Sequence, residues 1–300
     1  MLQSTLRKAL RRVGVAFPQL IRYSGRLGLG RLLTPGHTLE QVVIDDDIVI
    51  ELDLSVPFYR SLYFHHDLSL TEETILLKRL LEPGDTCVDV GAHIGYVALV
   101  AAKYGRRVLA VEPGPTTYRR LQRNLTLNPR LASKVVSLPM ALADHAGTMT
   151  LLDSERQPNR ASLAYRPLDA REVQVEVRTL DQVVAEHRDR VSFLKIDVEG
   201  AELDVLRGGE ATLRQQRPLV LCELNEDLQA AFGRTCRDII GFFEALGYVG
   251  REVEAPATGH GRLVVQPTRP GPYPPNSYCN ALFIPADRVA EIEARLIHDH

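Results

Sequence analysis

The sequence predicts an α/β protein built on a doubly wound parallel sheet. Short apolar segments of strand length alternate with helical segments between positions 71 and 246, and the apolar segments are nearly uninterrupted. Such alternation is typical of parallel strands joined by helices that cover both faces of a sheet. Uninterrupted apolar runs are typical of strands that are buried on both faces.

Turn residues separate the predicted elements, which follow one another in regular order. Strands are predicted at 86–90, 107–111, 135–138, 193–197 and 219–223, with short β-like segments at 148–152 and 173–177. Helices are predicted at 71–81, 94–104, 116–127, 180–187, 201–207 and 236–246. Gly105, Gly208 and Gly247 follow three of these helices, as expected where a helix ends.

Other segments flank this central region. Apolar residues alternate on either side of Asp45-Asp46-Asp47 and predict a β-hairpin over positions 41–54. Proline, glycine and threonine predict a long loop at 256–275, which a strand at 278–284 and a helix at 289–296 follow. We therefore divide the chain into a basic N-terminal extension (1–38), a hairpin extension (39–70), a core (71–255) and a C-terminal part (256–300).

Composition limits the classes of function. The chain has 36 Lys and Arg against 38 Asp and Glu, and its formal net charge of -2 argues against nucleic acid as a partner. No apolar run reaches the length of a membrane span, and no signal-peptide pattern is present. The four cysteines are far apart without metal-like spacing, so we expect free thiols and a cytoplasmic location.

The segment before Glu40 carries several basic residues and no acidic one. Leu2, Leu6 and Val13 fall at helical spacing and predict an amphipathic helix. We expect this helix to pack its apolar stripe against the body of the protein. The alternative is a weak contact with an anionic membrane surface.

The segment from Asp89 to Gly95 is the most informative in the chain. An apolar strand ends at Asp89-Val90, passes through Gly91 and Gly95, and leads into a helix. Such a glycine turn forms the nucleotide-type site of Rossmann-like folds. The Asp89 carboxylate would repel a pyrophosphate and attract a cation. S-adenosylmethionine (SAM) offers such a cation, because it carries a sulfonium and an ammonium group.

Glu112 supports the same cofactor. It ends the next predicted strand, at about the offset from Asp89 where an acid in a βαβ nucleotide site accepts hydrogen bonds from ribose hydroxyls. An NAD-type oxidoreductase is the alternative. It would require a third glycine in the loop, and the spacing of Gly91 and Gly95 does not supply one.

Acids stand at or just past the ends of five predicted strands, and the carboxyl ends of parallel strands share one edge of a sheet. These acids are Asp89, Glu112, Asp144, Asp197 and Glu223. We expect Asp144 to accept a hydrogen bond from the adenine amino group. So many carboxylates require a positive group among them, which a sulfonium cofactor, a divalent cation or a nearby lysine could supply.

The segment from Lys195 to Glu202 is the second dense motif. Asp197 ends a strand and faces the place where the methyl group would leave sulfur. We interpret Glu202 as an ordinary acid in a first helical turn, where a negative charge complements the helix dipole.

Together these motifs resemble the FkbM family of SAM-dependent methyltransferases over positions 70 to 249. The matching segments are PGD at 83–85, DVGAHIGY at 89–96, VEP at 111–113, NL at 124–125 with Asn128, ALAD at 141–144 with Gly147, ASL at 161–163, TLD at 179–181, KIDVEGAE at 195–202, LRGG at 206–209 and Glu223. His93 departs from the family, which usually has asparagine there, so its contact with the amino-acid end of the cofactor is open.

The resemblance implies a seven-stranded, mostly parallel sheet whose last strand is antiparallel. It also implies that positions 71–255 form the methyltransferase core and that SAM binds along one set of residues: Asp89, Gly91, His93, Gly95, Tyr96, Glu112 and Asp144. The implied reaction is O-methylation of a hydroxyl on a sugar or secondary metabolite. The expected partner is therefore a small-molecule or glycan acceptor, and a non-catalytic SAM-binding module is a further alternative.

An aliphatic hydroxyl is a poor nucleophile until its proton is accepted or its oxygen lies on a metal. We predict that Asp197 is nearest the acceptor hydroxyl, with Glu199 and Glu223 beside it. These carboxylates could act as a base or hold a divalent cation. The sequence leaves both alternatives open and identifies no metal ligands.

Overall fold

The computed structural model describes residues 38–65, 68–155, 169–188, 190–255, 263–269, 273–274 and 277–297. The predicted basic helix of the N-terminal extension and the motif at 161–163 lie outside these ranges, and most of the predicted 256–275 loop does too. None of the helices within these ranges is long and apolar enough to span a membrane.

The elements are numbered in chain order. The strands are β1 (Leu39–Ile44), β2 (Ile48–Asp53), β3 (Thr86–Val90), β4 (Arg107–Val111), β5 (Val135–Leu138), β6 (Ala141–Leu142), β7 (Gly147–Asp153), β8 (Arg171–Arg178), β9 (Val191–Ile196), β10 (Leu219–Asn225), β11 (Tyr248–Glu254), β12 (Val264–Pro267) and β13 (Tyr278–Pro285). The α-helices are α1 (Pro57–His65), α2 (Glu72–Leu80), α3 (Tyr96–Tyr104), α4 (Pro115–Leu127), α5 (Pro129–Ala132), α6 (Leu180–His187), α7 (Glu202–Gly208), α8 (Glu210–Gln216), α9 (Glu226–Ala231), α10 (Cys236–Ala245) and α11 (Val289–Ile297).

The main sheet contains eight strands in the order β12-β11-β13-β10-β9-β3-β4-β5. Strands β10, β9, β3, β4 and β5 pair in parallel, whereas β13 is antiparallel to both β10 and β11. The α/β fold is therefore confirmed. Seven of the strands, from β5 to β11 in spatial order, form the mostly parallel sheet that we expected, with the last strand antiparallel.

The eighth strand, β12, corrects the prediction of an unbroken loop at 256–275. Its residues Val264–Pro267 pair antiparallel with β11 at the edge of the sheet. The prolines and glycines that predicted a loop flank this short strand rather than interrupt it. Pro267 ends the strand, and an edge strand tolerates a residue without an N–H group.

Helices cover both faces of the main sheet. One hydrophobic cluster joins it to α2, α3, α4, α11 and the hairpin, and the other joins it to α6, α7, α8 and α10. Strand β3 serves both clusters, because Cys87 belongs to the first whereas Val88 and Val90 belong to the second. Because both faces of β3 are covered, all five of its residues are buried, including Thr86 and Asp89.

The predicted hairpin, β1–β2, is held against α4 by two asparagine side chains. The Val49 N–H donates to Asn128 Oδ1 at 2.9 Å, and the Glu51 N–H donates to Asn124 Oδ1 at 2.8 Å. These bonds satisfy backbone groups along a strand edge. The β-like segments at 148–152 and 173–177 lie in β7 and β8, which form a separate three-stranded sheet with β6.

Candidate active site

The carboxyl ends of β3, β4, β9 and β10 lie along one edge of the main sheet. Asp89 lies in β3 opposite Lys195 of β9, and Asp197 follows β9 directly. Glu112 follows β4, and Glu223 lies near the end of β10. Four of the five predicted strand-end acids therefore share one edge, which we call the acidic rim.

The loop between β3 and α3 has a left-handed backbone at three residues. The φ angles are 78° at Gly91, 52° at His93 and 83° at Gly95. Gly91 is also packed against β9, since a Cβ atom at this position would lie 1.8 Å from the Asp197 carbonyl oxygen. Glycine is therefore required at 91 by both backbone conformation and space.

Glu112 accepts two backbone hydrogen bonds at the start of the next loop. The His93 N–H donates to one carboxylate oxygen at 2.9 Å, and the Gly114 N–H donates to the other at 2.8 Å. Burial raises the pKa of Glu112 to about 7, although both backbone bonds act in the opposite direction. Glu112 thus lies directly against the glycine loop and titrates near neutral pH.

Lys195 is the positive group among the rim carboxylates. Its Nζ atom donates to the Gly91 carbonyl at 2.9 Å and lies 3.3 Å from Asp197 Oδ2 and 3.6 Å from Asp89 Oδ1. Burial alone would lower the pKa of Lys195, but the nearby carboxylates of Asp197, Asp89 and Glu73 outweigh it and raise the pKa above its usual range. Lys195 is therefore a buried cation that supplies part of the charge the rim requires.

Glu73 and Asn280 join the rim, although the sequence did not single them out. The Tyr96 hydroxyl donates to Glu73 at 3.1 Å and also lies 2.7 Å from the Thr71 hydroxyl. Asn280 donates to Glu72 at 3.0 Å from β13, where it pairs with Glu223 of β10. Burial raises the pKa of Glu73. The Asn280–Glu72 contact joins residues 208 positions apart in the chain, so only the antiparallel position of the last strand could have indicated it.

The predicted catalytic acids lie close enough to influence one another. Burial, followed by the charges of Asp197, Glu202 and Glu199, raises the pKa of Glu223 well above its usual range. The Asp197 side chain is 41% exposed and open to an incoming molecule. Within the described ranges, no three His, Cys, Asp or Glu side chains are arranged to hold a metal ion.

Glu202 corrects our interpretation of an ordinary acid in a first helical turn. Its side chain is 1% exposed and accepts from the Val198 N–H at 3.0 Å and the Gly200 N–H at 3.1 Å. Gln229 donates to its other oxygen from α9. The carboxylate therefore holds the loop that carries Glu199, whose φ is 55°. The two loop N–H groups lie within four residues of Glu202, whereas Gln229 belongs to another helix and sequence spacing could not reveal its contact.

We expect Glu202→Ala to destabilise the protein by about 3 kcal/mol, because two buried backbone N–H groups lose their acceptor. Urea unfolding measures this change. Glu210→Ala is the matched control, since Glu210 is a half-exposed acid in the first turn of α8. It should cost less than about 0.5 kcal/mol. Equal losses in the two variants would contradict the anchoring role of Glu202.

His93 packs against helix α1, which the sequence did not predict. Its ring centre lies 5.6 Å from that of Phe58 and 5.5 Å from that of Tyr59. The Tyr59 hydroxyl lies 3.1 Å from His93 Nε2 and 3.4 Å from Arg120 Nη1. The hairpin extension thus contacts the glycine loop directly.

Asp144 lies just past β6, apart from the strand ends that form the acidic rim. Its carboxylate is 2.6 Å from His145 Nδ1, and the backbone of Ala143 and Asp144 packs against Gly208 of α7. Hydrogen bonding to His145 lowers the pKa of Asp144. No described contact joins it to Glu112, so its role toward adenine stays a prediction.

The fold and the rim define a Rossmann-like α/β protein with an acidic site at the carboxyl edge of its sheet. A family model described as the methyltransferase FkbM domain matches residues 89–249, more than half of the chain. The chain therefore belongs to the FkbM methyltransferase family. The matched region begins at Asp89 and ends within β11, so the hairpin and α1 lie outside it.

Curated relatives are similar to part of the chain. Methyltransferase sdnD of Sordaria araneosa is 34% identical in an alignment of length 153 that covers 40% of this chain and 59% of that protein. The 31-O-demethyl-FK506 methyltransferase FkbM of Streptomyces tacrolimicus is 30% identical, over 51% of this chain and 70% of that protein. The hexuronic acid methyltransferase AglP of Haloferax volcanii is 29% identical, over 44% and 53%.

The chain spans just under 60% of the length of the first two curated relatives that it matches. Among solved structures, it is similar to the methyltransferase FkbM from Methylobacillus flagellatus KT. That similarity has a TM-score of 0.44 at 17% identity and covers 68% of this chain and 44% of that one.

Proposed function

We propose that this methyltransferase uses SAM and methylates a hydroxyl oxygen of a sugar or secondary metabolite. The assignment of SAM as cofactor rests on two acids on either side of the glycine loop: Asp89 near the end of β3 and Glu112 after β4. Carboxylates at these positions suit ribose hydroxyls and a cationic amino acid, and they disfavour a pyrophosphate.

Glu112 and the loop from Gly91 to Tyr96 would hold SAM, and the buried Asp89 carboxylate at the start of the loop would favour its positive charge. Both Asp89 carboxylate oxygens are buried without a hydrogen-bond partner in the described part of the chain. Lys195, 3.6 Å away, offsets their charge in part, and a cationic ligand nearby would offset it further. When bound, SAM supplies a methyl group on a positively charged sulfur. The Glu112 carboxylate is held in place by two backbone N–H groups and keeps further lone pairs for ribose hydroxyls.

Asp197 is the residue we assign to the acceptor hydroxyl, with Glu199 and Glu223 beside it. Asp197 is the more exposed partner of Lys195, so it can contact an incoming molecule while the lysine holds its carboxylate. A carboxylate within hydrogen-bond distance of the hydroxyl can take up its proton as the new bond forms. Positioning of the hydroxyl by these groups would lower the activation free energy of methyl transfer by several kcal/mol.

The acceptor class is supported by the relatives' names. One relative is named as a methyltransferase of 31-O-demethyl-FK506 and another as a methyltransferase of hexuronic acid, so a sugar acid is among the acceptors named for similar proteins. Transfer of tritium from methyl-labelled SAM into an extract of the source cell tests the proposal. We expect a labelled product whose label survives base treatment, as an ether does. A protein stabilised by NAD and not by SAM in thermal unfolding, or a SAM-bound protein that labels nothing, would contradict it.

We expect the affinity for SAM to fall as the pH drops below about 7. The raised pKa of Glu112 means that this carboxyl is protonated below about 7 in the ligand-free protein. Ribose hydroxyls bind the ionised form better, so binding releases that proton, and Kd should rise by up to about tenfold per pH unit below the pKa. Calorimetry at several pH values measures the slope.

Glu112→Gln is the control for this pH dependence. The amide cannot ionise, so its Kd for SAM should be weaker but nearly constant across the same range. The same raised pKa predicts that the ligand-free wild-type protein loses stability as the pH rises through 7, because the folded state binds the proton more tightly than the unfolded state. A wild-type Kd that does not vary with pH would contradict the assignment of Glu112.

A further inference from the structure

Three side chains form a continuous hydrogen-bonded series that ends at the glycine loop. The Arg120 guanidinium lies 3.4 Å from the Tyr59 hydroxyl, which lies 3.1 Å from His93 Nε2. The same guanidinium lies 5.1 Å from the centre of the Tyr59 ring, so Arg120 contacts both the hydroxyl and the aromatic ring of Tyr59. Tyr59 is 1% exposed and belongs to α1, outside the matched residues 89–249.

The donors and acceptors in this series can be assigned. Arginine only donates, so the Tyr59 oxygen accepts from Arg120. If His93 Nε2 also donated to Tyr59, the buried tyrosine proton would have no acceptor among its described contacts, which is costly. The consistent arrangement therefore has Tyr59 donating to His93 Nε2.

His93 then has one available proton position. Burial, with the nearby charges of Lys195 and Arg120, lowers the pKa of His93 to about 3 and outweighs the opposing effect of Asp197. The ring is neutral at physiological pH, and with Nε2 as an acceptor its single proton lies on Nδ1. Within the described ranges, Nδ1 has no hydrogen-bond partner in the protein.

We propose that Arg120 and Tyr59 fix His93 as the Nδ1–H tautomer and that this N–H binds the carboxylate of SAM. This inference rests on the proposed function. SAM has one carboxylate, and the rim acids Asp89 and Asp197 would repel it. A neutral N–H donor on the glycine loop is compatible with both the carboxylate and the rim. His93 is thus a cofactor-binding residue, and Tyr59 and Arg120 are positioning residues.

Two measurements test the inference in full-length protein labelled with ¹⁵N-histidine. Long-range ¹H–¹⁵N spectra report the tautomer, and the His93 signals are those that disappear in His93→Asn. We expect the Nδ1–H tautomer in the wild type, with no titration between about pH 5 and 8. In Tyr59→Phe we expect the Nε2–H form to appear and the Kd for SAM to rise about tenfold, as for loss of a charge-assisted hydrogen bond.

Two further variants separate this role from a structural one. Tyr248→Phe removes another buried tyrosine hydroxyl, which donates to Leu213, and should change neither the tautomer nor the Kd. His93→Asn provides an amide donor without tautomers, and asparagine tolerates the φ of 52°. In that background, Tyr59→Phe should no longer affect the Kd for SAM.

The Nε2–H tautomer in the wild type would overturn the inference, and so would equal effects of Tyr59→Phe with and without His93→Asn. These results leave the proposed function untouched as long as the wild type binds SAM. A wild type that shows the Nδ1–H tautomer but does not bind SAM would instead overturn the proposed function and the carboxylate contact that depends on it.

Discussion

Lys195→Met is expected to destabilise the protein by about 3–5 kcal/mol and to abolish methyl transfer. Methionine keeps the length of the side chain but removes the charge and the bond to the Gly91 carbonyl. Asp89 is fully buried, and Lys195 is the cation that lies 3.6 Å from it. Without Lys195, the Asp89 carboxylate is an uncompensated buried charge.

The pH dependence of this loss identifies its cause. Burial already raises the pKa of Asp89, and removal of Lys195 should raise it further. A carboxyl with a raised folded-state pKa costs stability as the pH rises, so the loss should be larger at pH 8 than at pH 5, by about 1 kcal/mol or more. Urea unfolding at both pH values measures this difference.

Two comparisons make the Lys195 prediction specific. In Lys195→Met with Asp89→Asn, the orphaned charge is gone, and part of the stability should return. Lys134→Met is the matched control, because Lys134 donates to the carbonyls of Ala102 and Gly105. Its loss should be smaller and independent of pH. A pH-independent loss in Lys195→Met, without rescue by Asp89→Asn, would contradict the charge pairing of Lys195 with Asp89.

Gly91→Ala is expected to cost at least about 3 kcal/mol and to lower the yield of folded protein. The φ of 78° disfavours alanine, and the added Cβ would lie 1.8 Å from the Asp197 carbonyl oxygen. Relief of this clash must move either the glycine loop or the end of β9. Movement of β9 displaces Asp197, and movement of the loop displaces the residues that would hold SAM, so activity should fall even in any protein that folds.

Gly84→Ala provides the control for this substitution. Gly84 lies in the turn before β3, and a Cβ at this position meets no atom within 4 Å. Its thermal unfolding midpoint should therefore equal or exceed that of the wild type. If both glycine variants unfold at the wild-type temperature, the close approach of the loop to β9 is not required.

The sequence alone predicted where the residues of the candidate site that depend on local pattern lie in the fold. Asp89, Gly91 and Glu112 could be predicted because a strand, a turn and a helix follow one another within a short stretch. The parallel sheet followed from the same alternation. The antiparallel last strand came only from the family resemblance, because periodicity does not specify strand direction.

Contacts between distant elements could not be predicted. Asn280 reaches Glu72 from the last strand, and Tyr59 reaches His93 from a helix that begins with Pro57. Glu202 resembled a helix-dipole acid until Gln229 and two loop N–H groups were seen to surround it. In each case, packing brings in a partner from another element that spacing along the chain does not indicate.

If SAM binds at the carboxyl edge and Asp197 serves the acceptor hydroxyl, Asp197→Asn should keep SAM binding and lose methyl transfer. Calorimetry with SAM measures the first, and transfer of labelled methyl into the source-cell extract measures the second, with the exposed Glu210→Gln as control. We expect a Kd within about twofold of the wild type and a rate at least about a hundredfold lower. An unchanged rate in Asp197→Asn would contradict this role of Asp197.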